Sequence, residues 1–312
     1  MNDDLVLRAA GEEDDPALLD LFAAGFGRTW SPEWWRWFSR ECPTGRNRAY
    51  VAEDPTRRRL ASTYSLLPIR VRYNDGEIAA SLAVNATTDP AYRGRGLFVR
   101  MGRYVLSSER AFNTPITLGM PNPTAVPGHV KVGWETICDL SFLVKHDCRE
   151  VAHRCRRVER FDATLDRLVE HIQERFNLLV LKDHRFLNWR TVDRPDKQYT
   201  CYVFAEDHDL RGYVVLKHFD EGTYRKSHVL DLHAADDDAL AELLGAAESF
   251  AAGRDELNMW TNRWDPYQTA IRGHGFTLRN SHDLLILHQN YGTREPLREG
   301  GWSFSLADND VY

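Results

Sequence analysis

One short stretch, Thr87 to Phe98, constrains the fold more than any other part of this 312-residue chain. Its sequence is Thr-Thr-Asp-Pro-Ala-Tyr-Arg-Gly-Arg-Gly-Leu-Phe. The preceding run, Ile78 to Ala86, is largely apolar and contains no proline, which is typical of a central strand. The sequence therefore predicts a strand, a tight glycine loop and a helix in immediate succession. The apolar residues that recur at helical spacing are Leu97, Val99, Met101, Tyr104 and Val105.

The loop between this strand and helix has the composition of an anion-binding site. Gly94 and Gly96 allow the backbone to approach an anion closely, and the following helix presents unpaired N–H groups and a positive dipole end. Arg93 and Arg95 add positive charge. No third glycine completes a dinucleotide-binding fingerprint, and no Gly-Lys-Ser/Thr completes an NTPase loop. A site for a phosphate-bearing ligand and a solvated turn are the two remaining interpretations.

The segment Pro90 to Phe98 resembles the acetyl-CoA loop of the GCN5-related N-acetyltransferase (GNAT) superfamily. The pattern of that loop is Arg/Gln-x-x-Gly-x-Gly/Ala. Arg93, Gly96 and Phe98 occupy its three fixed places, and Phe98 replaces the small residue that is usual at the last of them. The resemblance implies that acetyl-CoA binds here as the acyl donor.

Two later segments extend the resemblance. Ile116 to Asn122 is similar to the superfamily's fifth strand and its asparagine, and Gly133-Trp134 is similar to its terminal Gly-aromatic pair. The resemblance implies an α/β fold with a mostly antiparallel mixed sheet flanked by helices, in which a parallel strand pair splays apart at the CoA site. The residues that it implies for coenzyme binding are Thr87, Thr88, Arg93, Gly94, Arg95, Gly96, Leu97, Phe98 and Asn122.

The resemblance also implies catalytic positions. His129 occupies the place where relatives commonly have a tyrosine whose hydroxyl protonates the leaving thiolate, and an imidazole is competent for that chemistry. A surface or coenzyme-contacting histidine is the alternative interpretation. Asn122 is expected to contact the coenzyme arm or to order a water molecule. The general base stays open among Glu135, Asp139 and the terminal carboxylate of Tyr312, which some tandem relatives bring into the active site.

The length of the chain favours two domains. We predict an N-terminal acetyl-CoA-binding GNAT domain at 1–146, a linker at 147–160 and a C-terminal domain at 161–312. The second domain repeats the order of the first, and Gly273 to Phe276 resembles the Gly-aromatic pair. However, Ala234 to Ala239 contains three aspartates in place of the glycine loop, and these satisfy a helix dipole and repel a diphosphate. We therefore expect a tandem GNAT fold with a degenerate C-terminal half that binds no CoA.

Turn and cap signals predict several other elements. Ser31-Pro32-Glu33 is a good start for the aromatic helix Trp34 to Phe38, which either packs against the sheet or lines a substrate groove. Asn74-Asp75-Gly76 predicts a hairpin between the strand Leu60 to Tyr73 and the strand that leads to the glycine loop.

Charge and composition exclude several classes of protein. The net charge of −6 argues against a nucleic-acid binder, because phosphate backbones require clustered excess Lys and Arg. No apolar run reaches the roughly 18 residues of a transmembrane helix, and Met1 to Asp4 is too acidic for a signal peptide, so we expect a cytoplasmic protein without a membrane partner. The five cysteines have no Cys-x-x-Cys spacing, and no metal site is expected.

Together these features predict an acyl-CoA-dependent N-acyltransferase that transfers acetyl from acetyl-CoA to a primary amine of a small molecule or peptide. A monomer and a homodimer are both open. One alternative is a non-catalytic CoA-binding or scaffold protein. Another is an aminoacyl-transferase of the peptidoglycan-bridge type, although those enzymes lack a working CoA loop.

Overall fold

A computed structural model describes residues 5–292 and 295–309. Within these residues the chain forms fourteen strands and eight α-helices, joined by loops and short 3-10 and π-helical turns. The strands are β1 Val6–Ala9, β2 Arg48–Asp54, β3 Arg59–Tyr73, β4 Gly76–Thr88, β5 Ile116–Gly119, β6 Glu135–Lys145, β7 Arg156–Val158, β8 Leu178–Val180, β9 Thr200–Glu206, β10 Asp209–Glu221, β11 Tyr224–Ala234, β12 Glu256–Thr261, β13 Thr277–Gln289 and β14 Trp302–Ser303. The α-helices are α1 Asp15–Phe26, α2 Pro32–Arg40, α3 Leu97–Ser108, α4 Val126–Val132, α5 Thr164–Ile172, α6 His184–Leu187, α7 Asp237–Phe250 and α8 Gln268–Gly273.

The chain divides into two compact units, each assembled from segments that are separate in the sequence. The first unit comprises Met1–Arg70, Ile78–Ile137 and Leu284–Glu295. The second unit comprises Val71–Glu77, Cys138–Asp283 and Pro296–Tyr312. The division of the sequence into an N-terminal domain, a linker and a C-terminal domain stays a prediction.

The sheet of the first unit has the strand order β1-β2-β3-β4-β5, followed by the part of β13 that begins at Leu284. The pairs β1–β2, β2–β3 and β5–β13 are antiparallel. The pair β4–β5 is parallel and joins Ser81 to Thr117 and Leu82 to Leu118, while β4 continues to Thr88. The parallel pairing therefore ends well before the last residue of β4, as expected for a strand pair that splays apart.

The core of the first unit explains why α3 lies where it does. Apolar residues on one face of α3 are buried against the aromatic and small side chains of β2 and β3, which is the usual packing of an amphipathic helix on a sheet. The buried members of this cluster are Leu5, Tyr50, Ala52, Ala61, Tyr64, Leu66, Tyr92, Leu97, Met101 and Val105.

The second unit contains a sheet with the order β6-β12-β11-β10-β9-β7. All neighbours are antiparallel except β11 and β12, which pair in parallel from Lys226–Glu256 to His228–Asn258. Strand β8 pairs with β14 and with the segment Val71 to Tyr73 at the end of β3. The predicted fold class is confirmed: the protein is α/β, with mostly antiparallel mixed sheets flanked by helices.

Candidate active site

The glycine loop is fixed at its start by buried polar contacts. Asp89, which follows β4, accepts a hydrogen bond from the Ala91 N–H at 2.8 Å and forms an ion pair with Arg59. Tyr92 is buried, and its hydroxyl donates to the Asp54 carboxylate at 2.6 Å. These contacts hold the turn rigidly, so the direction in which the chain enters the loop is set before Arg93.

The two glycines of the loop both adopt the left-handed backbone conformation. Gly94 has φ 76° and Gly96 has φ 71°, a region that glycine enters without steric cost. A Cβ atom added at either position would meet no other atom within 4 Å. Backbone conformation therefore requires these glycines, and the space outside them is open to a ligand.

Arg93 ties this loop to two other elements of the first unit. Its Nε donates to the Thr88 carbonyl at 3.1 Å and its guanidinium donates to the Gly25 carbonyl at the end of α1, also at 3.1 Å. Arg95 lies over the ring of Tyr92, and like Arg93 it is exposed. Both positive charges consequently lie at the mouth of the loop.

Helix α3 begins at the loop without a side chain to cap it. Gly96 occupies the N-cap position and offers no oxygen to the first N–H groups, so the end of the helix is available to an anion. Helix α7 in the second unit differs at this point, because the Asp236 side chain accepts from the Ala239 N–H at 2.8 Å and pairs with Arg211. The N-terminus of α3 therefore has no side-chain cap, whereas the N-terminus of α7 is capped by Asp236.

Thr87 and Thr88 form the end of β4, and their polar groups already make hydrogen bonds. The Thr87 carbonyl accepts from the Ser62 hydroxyl at 2.8 Å, and the Thr88 carbonyl accepts from Arg93. Each carbonyl oxygen has a second lone pair. An incoming amide N–H is therefore compatible with both residues.

Asn122 lies in the turn that leads to α4. Its side-chain oxygen accepts from the Ala125 N–H at 3.0 Å, while the side chain itself is exposed. The amide group thus caps this turn with its oxygen and has its NH₂ group directed to the surroundings. Tyr312, whose carboxylate is one of the predicted candidate bases, lies outside the described residues.

His129 lies on α4 and is 4% exposed. Its ring is packed edge to face against Phe98 at 5.0 Å and against Trp134 at 5.1 Å, measured between ring centroids. The Tyr64 hydroxyl lies 3.4 Å from Nδ1. Burial lowers the pKa of His129 to about 4, so the imidazole is neutral at physiological pH. Any proton that it presents is an N–H of the neutral ring.

Two features of this site were outside the sequence-based interpretation. Gly128 is required by Phe98, because a Cβ atom on Gly128 would lie 2.6 Å from the phenyl ring. The second feature is the contact between Tyr64 and His129, for which the only signal in the sequence is that Tyr64 is an aromatic residue in the middle of a strand.

Glu135 and Asp139, the candidate bases, are both exposed on β6.

Comparisons with known proteins identify domains and folds that resemble this one. Residues 6–137 match the family model described as "Acetyltransferase (GNAT) domain". This match covers only the N-terminal part of the chain, which is therefore similar in sequence to GNAT domains. A search of curated proteins finds no significant match.

Solved structures with the same fold span most of the chain. A GCN5-related N-acetyltransferase from Anabaena variabilis aligns with a TM-score of 0.72 and 13% identity, over 92% of this chain and 73% of its own. One from Kribbella flavida has a TM-score of 0.64 and 20% identity, over 91% and 71%. The Saccharomyces cerevisiae N-myristoyltransferase with bound myristoyl-CoA has a TM-score of 0.65 and 10% identity, over 94% and 84%. At such low sequence identities, the similarity to these structures shows a shared fold and nothing more.

Two further properties of the described residues concern membrane spans and metal ligands. Across residues 5–292 and 295–309, every helix is too short or too polar to cross a bilayer. Among those same residues, no three His, Cys, Asp or Glu side chains lie close enough together to hold a metal ion.

Proposed function

We propose that the chain transfers an acetyl group from acetyl-CoA to a primary amine of a small molecule or peptide. The observation that carries this proposal is the open loop from Arg93 to Gly96, joined to the uncapped N-terminus of α3 at the end of β4. The GNAT domain match supports the acyltransferase class. The likeness to an N-myristoyltransferase with bound myristoyl-CoA supports an acyl donor derived from CoA.

In this proposal the loop holds the coenzyme diphosphate. The backbone N–H groups from Gly94 to Phe98 point to the anion, and Arg93 and Arg95 neutralise its charge. A helix N-terminus stabilises an anion by about 0.3–1 kcal/mol at an exposed site. The backbone of Thr87 and Thr88 pairs with the amides of the pantetheine arm.

Three further groups complete the proposed chemistry. The Asn122 amide contacts the coenzyme arm or orders a water molecule, and a backbone N–H at the end of β4 polarises the thioester carbonyl. The attacking amine must be neutral, so a base removes its proton, and Glu135, Asp139 and the Tyr312 carboxylate all stay open for that role. His129 acts on the leaving sulfur.

We also propose that the C-terminal half, residues 161–312, is a degenerate GNAT domain that binds no coenzyme. The sequence β11-α7-β12 in the second unit repeats the order of β4-α3-β5, including the parallel strand pair. The Asp236 carboxylate occupies the N-terminus of α7, where a diphosphate would otherwise bind. One coenzyme per chain follows from this difference.

The first prediction tests this assignment through Gly96→Glu. A carboxylate at this position repels the diphosphate, and we expect the affinity for acetyl-CoA to fall about 100-fold, whereas the unaltered chain binds one equivalent. Isothermal titration calorimetry measures both the affinity and the stoichiometry.

Gly253→Glu is the matched control. Gly253 has φ 72° and an equally open Cβ position, but it lies in a turn of the second unit. Both variants introduce the same charge at the same backbone strain, so only Gly96→Glu should affect binding. Two equivalent sites per chain, or unchanged binding by Gly96→Glu, would contradict the proposal.

A second prediction concerns His129 and pH. Because its pKa is about 4, His129 stays neutral from pH 6 to 9. Its titration therefore causes no change of kcat with pH in this range. His129→Ala should lower kcat by about 100-fold at every pH in this range, the lower end of the effect of removing one hydrogen-bond donor to the charge that develops in the transition state. Thiol release from acetyl-CoA, followed over a panel of amines, measures the rate.

His288→Ala is the control for His129→Ala. His288 also packs on Trp134, at 5.7 Å between centroids, and is partly buried, so it matches the loss of packing without touching the proposed chemistry. Equal rates for wild type and His129→Ala across the range would remove His129 from the mechanism. Coenzyme binding with no amine-dependent thiol release would instead favour a non-catalytic CoA-binding protein.

A further inference from the structure

The hydroxyl of Tyr64 is directed at the one histidine proposed to act on the leaving group. Tyr64 lies in the middle of β3 and is 1% exposed, with its ring 5.9 Å from that of Phe98. Its oxygen is 3.4 Å from Nδ1 of His129. A separation of this length is common in catalytic hydrogen bonds before substrate binds.

The direction of this hydrogen bond follows from the partners available. Among the described residues, the Tyr64 hydroxyl has no other hydrogen-bond partner than Nδ1 of His129. If Nδ1 carried the proton, the buried hydroxyl hydrogen of Tyr64 would have no acceptor, and an unsatisfied buried donor is costly. Tyr64 therefore donates to Nδ1, and the proton of the neutral ring resides on Nε2.

The protonation states of both groups support this direction. Burial raises the pKa of Tyr64 far above its ordinary value and lowers that of His129 to about 4. A neutral phenol and a neutral imidazole consequently face one another throughout the physiological range. Neither group carries a net charge that would reverse the hydrogen bond.

The aromatic packing around His129 restricts rotation of the ring about its Cβ–Cγ bond, which would place Cδ2 instead of Nδ1 against Tyr64. Phe98 and Trp134 meet the ring at interplanar angles of 86° and 81°. Phe98 itself is held against Gly128, where a side chain would collide with it. Nδ1 thus stays against Tyr64, and Nε2, the other ring nitrogen, is the one that carries the proton.

We propose that Tyr64 is a positioning residue that fixes His129 as its Nε2–H tautomer, so that Nε2–H donates a hydrogen bond to the leaving sulfur. This inference rests on the proposed acyl transfer. In that reaction the amine nitrogen bonds to the carbonyl carbon, the C–S bond breaks with its electron pair on sulfur, and the base takes the amine proton. Nε2–H stabilises the charge on sulfur without itself being lost, and the thiolate then takes its proton from solvent.

The test combines a spectroscopic and a kinetic measurement on the full chain. Long-range ¹H–¹⁵N spectra distinguish the two histidine tautomers, and we expect the His129 signal to report Nε2–H in the unaltered protein. Tyr64→Phe removes only the hydroxyl, so it should produce a mixture of tautomers. We expect kcat to fall about 5- to 10-fold, the cost of one neutral hydrogen bond, with KM for acetyl-CoA unchanged within twofold.

Tyr50→Phe is the control, because Tyr50 is the cross-strand neighbour of Tyr64 in the same core cluster and bonds to Ser108 instead. This variant should change neither the tautomer nor kcat. In a His129→Ala background, Tyr64→Phe should have no further effect on kcat, since Tyr64 acts through His129.

Several outcomes would overturn the inference. They are an Nδ1–H tautomer in the unaltered protein, a Tyr64→Phe variant that keeps both the tautomer and kcat, and an undiminished effect of Tyr64→Phe without His129. Absence of acyl transfer in the unaltered protein would refute the proposed function instead, and the tautomer spectra still decide whether Tyr64 donates to His129.

Discussion

Lys182→Met should lower the free energy of unfolding by about 3–5 kcal/mol, the typical cost of removing one partner from a buried ionic cluster. The Lys182 side chain is 1% exposed, and its Nζ lies 2.7 Å from Asp308 and 3.4 Å from Asp231. Methionine fills a similar volume but leaves two carboxylates buried without a cation. Urea unfolding at pH 7 measures the loss.

The contacts of the two carboxylates explain why the loss should be large. Asp231 accepts from the buried Tyr213 hydroxyl at 2.8 Å, and Asp308 accepts from the Ser305 N–H at 2.8 Å. Both are therefore held in place and cannot move into solvent without breaking other bonds. Asp308 belongs to the segment after β14, so the cluster also fixes that segment within the second unit.

The pH dependence of this contribution follows from the pKa of Lys182. Burial lowers that pKa, but Asp231 and Asp308 together outweigh burial and raise it above the ordinary value of 10.5. A raised lysine pKa contributes stability that is fully present below the unfolded-state value and is lost as pH rises through the folded-state value. The difference between wild type and Lys182→Met should thus be the same at pH 7 and pH 9.

Lys226→Met is the control for Lys182→Met. Lys226 pairs with Glu221 at 2.5 Å, but Glu221 is 65% exposed, and such a surface pair contributes about 0–1 kcal/mol. Equal losses from the two variants, or a loss below about 1 kcal/mol from Lys182→Met, would show that the buried cluster is not a major source of stability.

Local sequence signals were sufficient to predict one hairpin turn and one helix cap of the first half of the chain. The hairpin predicted at Asn74 to Gly76 joins β3 and β4, and Asn74 has φ 53°. The Ser31 hydroxyl caps α2 by accepting from the Trp34 N–H at 3.1 Å. Each of these features depends on a few neighbouring residues whose conformational preferences are strong in any context.

The aromatic helix shows where sequence left two interpretations open. Its side chains are buried, in agreement with packing rather than with a substrate groove. Helical periodicity identifies which face is apolar, but it does not identify what covers that face. The buried aromatic residues of α2 are Trp34, Trp35, Trp37 and Phe38.

Long-range pairing was beyond what one sequence can provide. Strand β13 pairs with β5, Ile286 opposite Gly119, across a large separation in sequence that no periodicity reports. Neither the contact of Tyr64 with His129 nor the burial of Lys182 between Asp231 and Asp308 has a local signal in the sequence. Charged residues are normally exposed, so a lysine in an otherwise ordinary segment carries no sign that two distant aspartates will enclose it.

Arg48→Met is the counterpart in the first unit, and we expect it to cost about 3–5 kcal/mol. Glu109, at the end of α3, is completely buried and accepts two hydrogen bonds from Arg48, at 3.0 Å from Nε and 2.6 Å from the terminal nitrogen. The Ser81 hydroxyl also contacts both side chains. The variant leaves the Glu109 carboxylate without its cation in a dry interior.

The double variant Arg48→Met/Glu109→Met distinguishes two causes of the lost stability. One is the unpaired buried charge of Glu109, and the other is the lost attraction between Arg48 and Glu109. Replacing both partners of a buried pair by apolar residues is often close to neutral, so the double variant should recover most of the stability lost in Arg48→Met. Arg36→Met is the surface control: Arg36 lies 3.5 Å from Glu41, both side chains are exposed, and the variant should cost less than about 1 kcal/mol.

Because Ser81 contacts Arg48 and lies where β4 pairs with β5, Arg48→Met should also accelerate hydrogen exchange along that pairing. A double variant as unstable as Arg48→Met would mean that packing around Arg48, rather than the charge of Glu109, sets the loss.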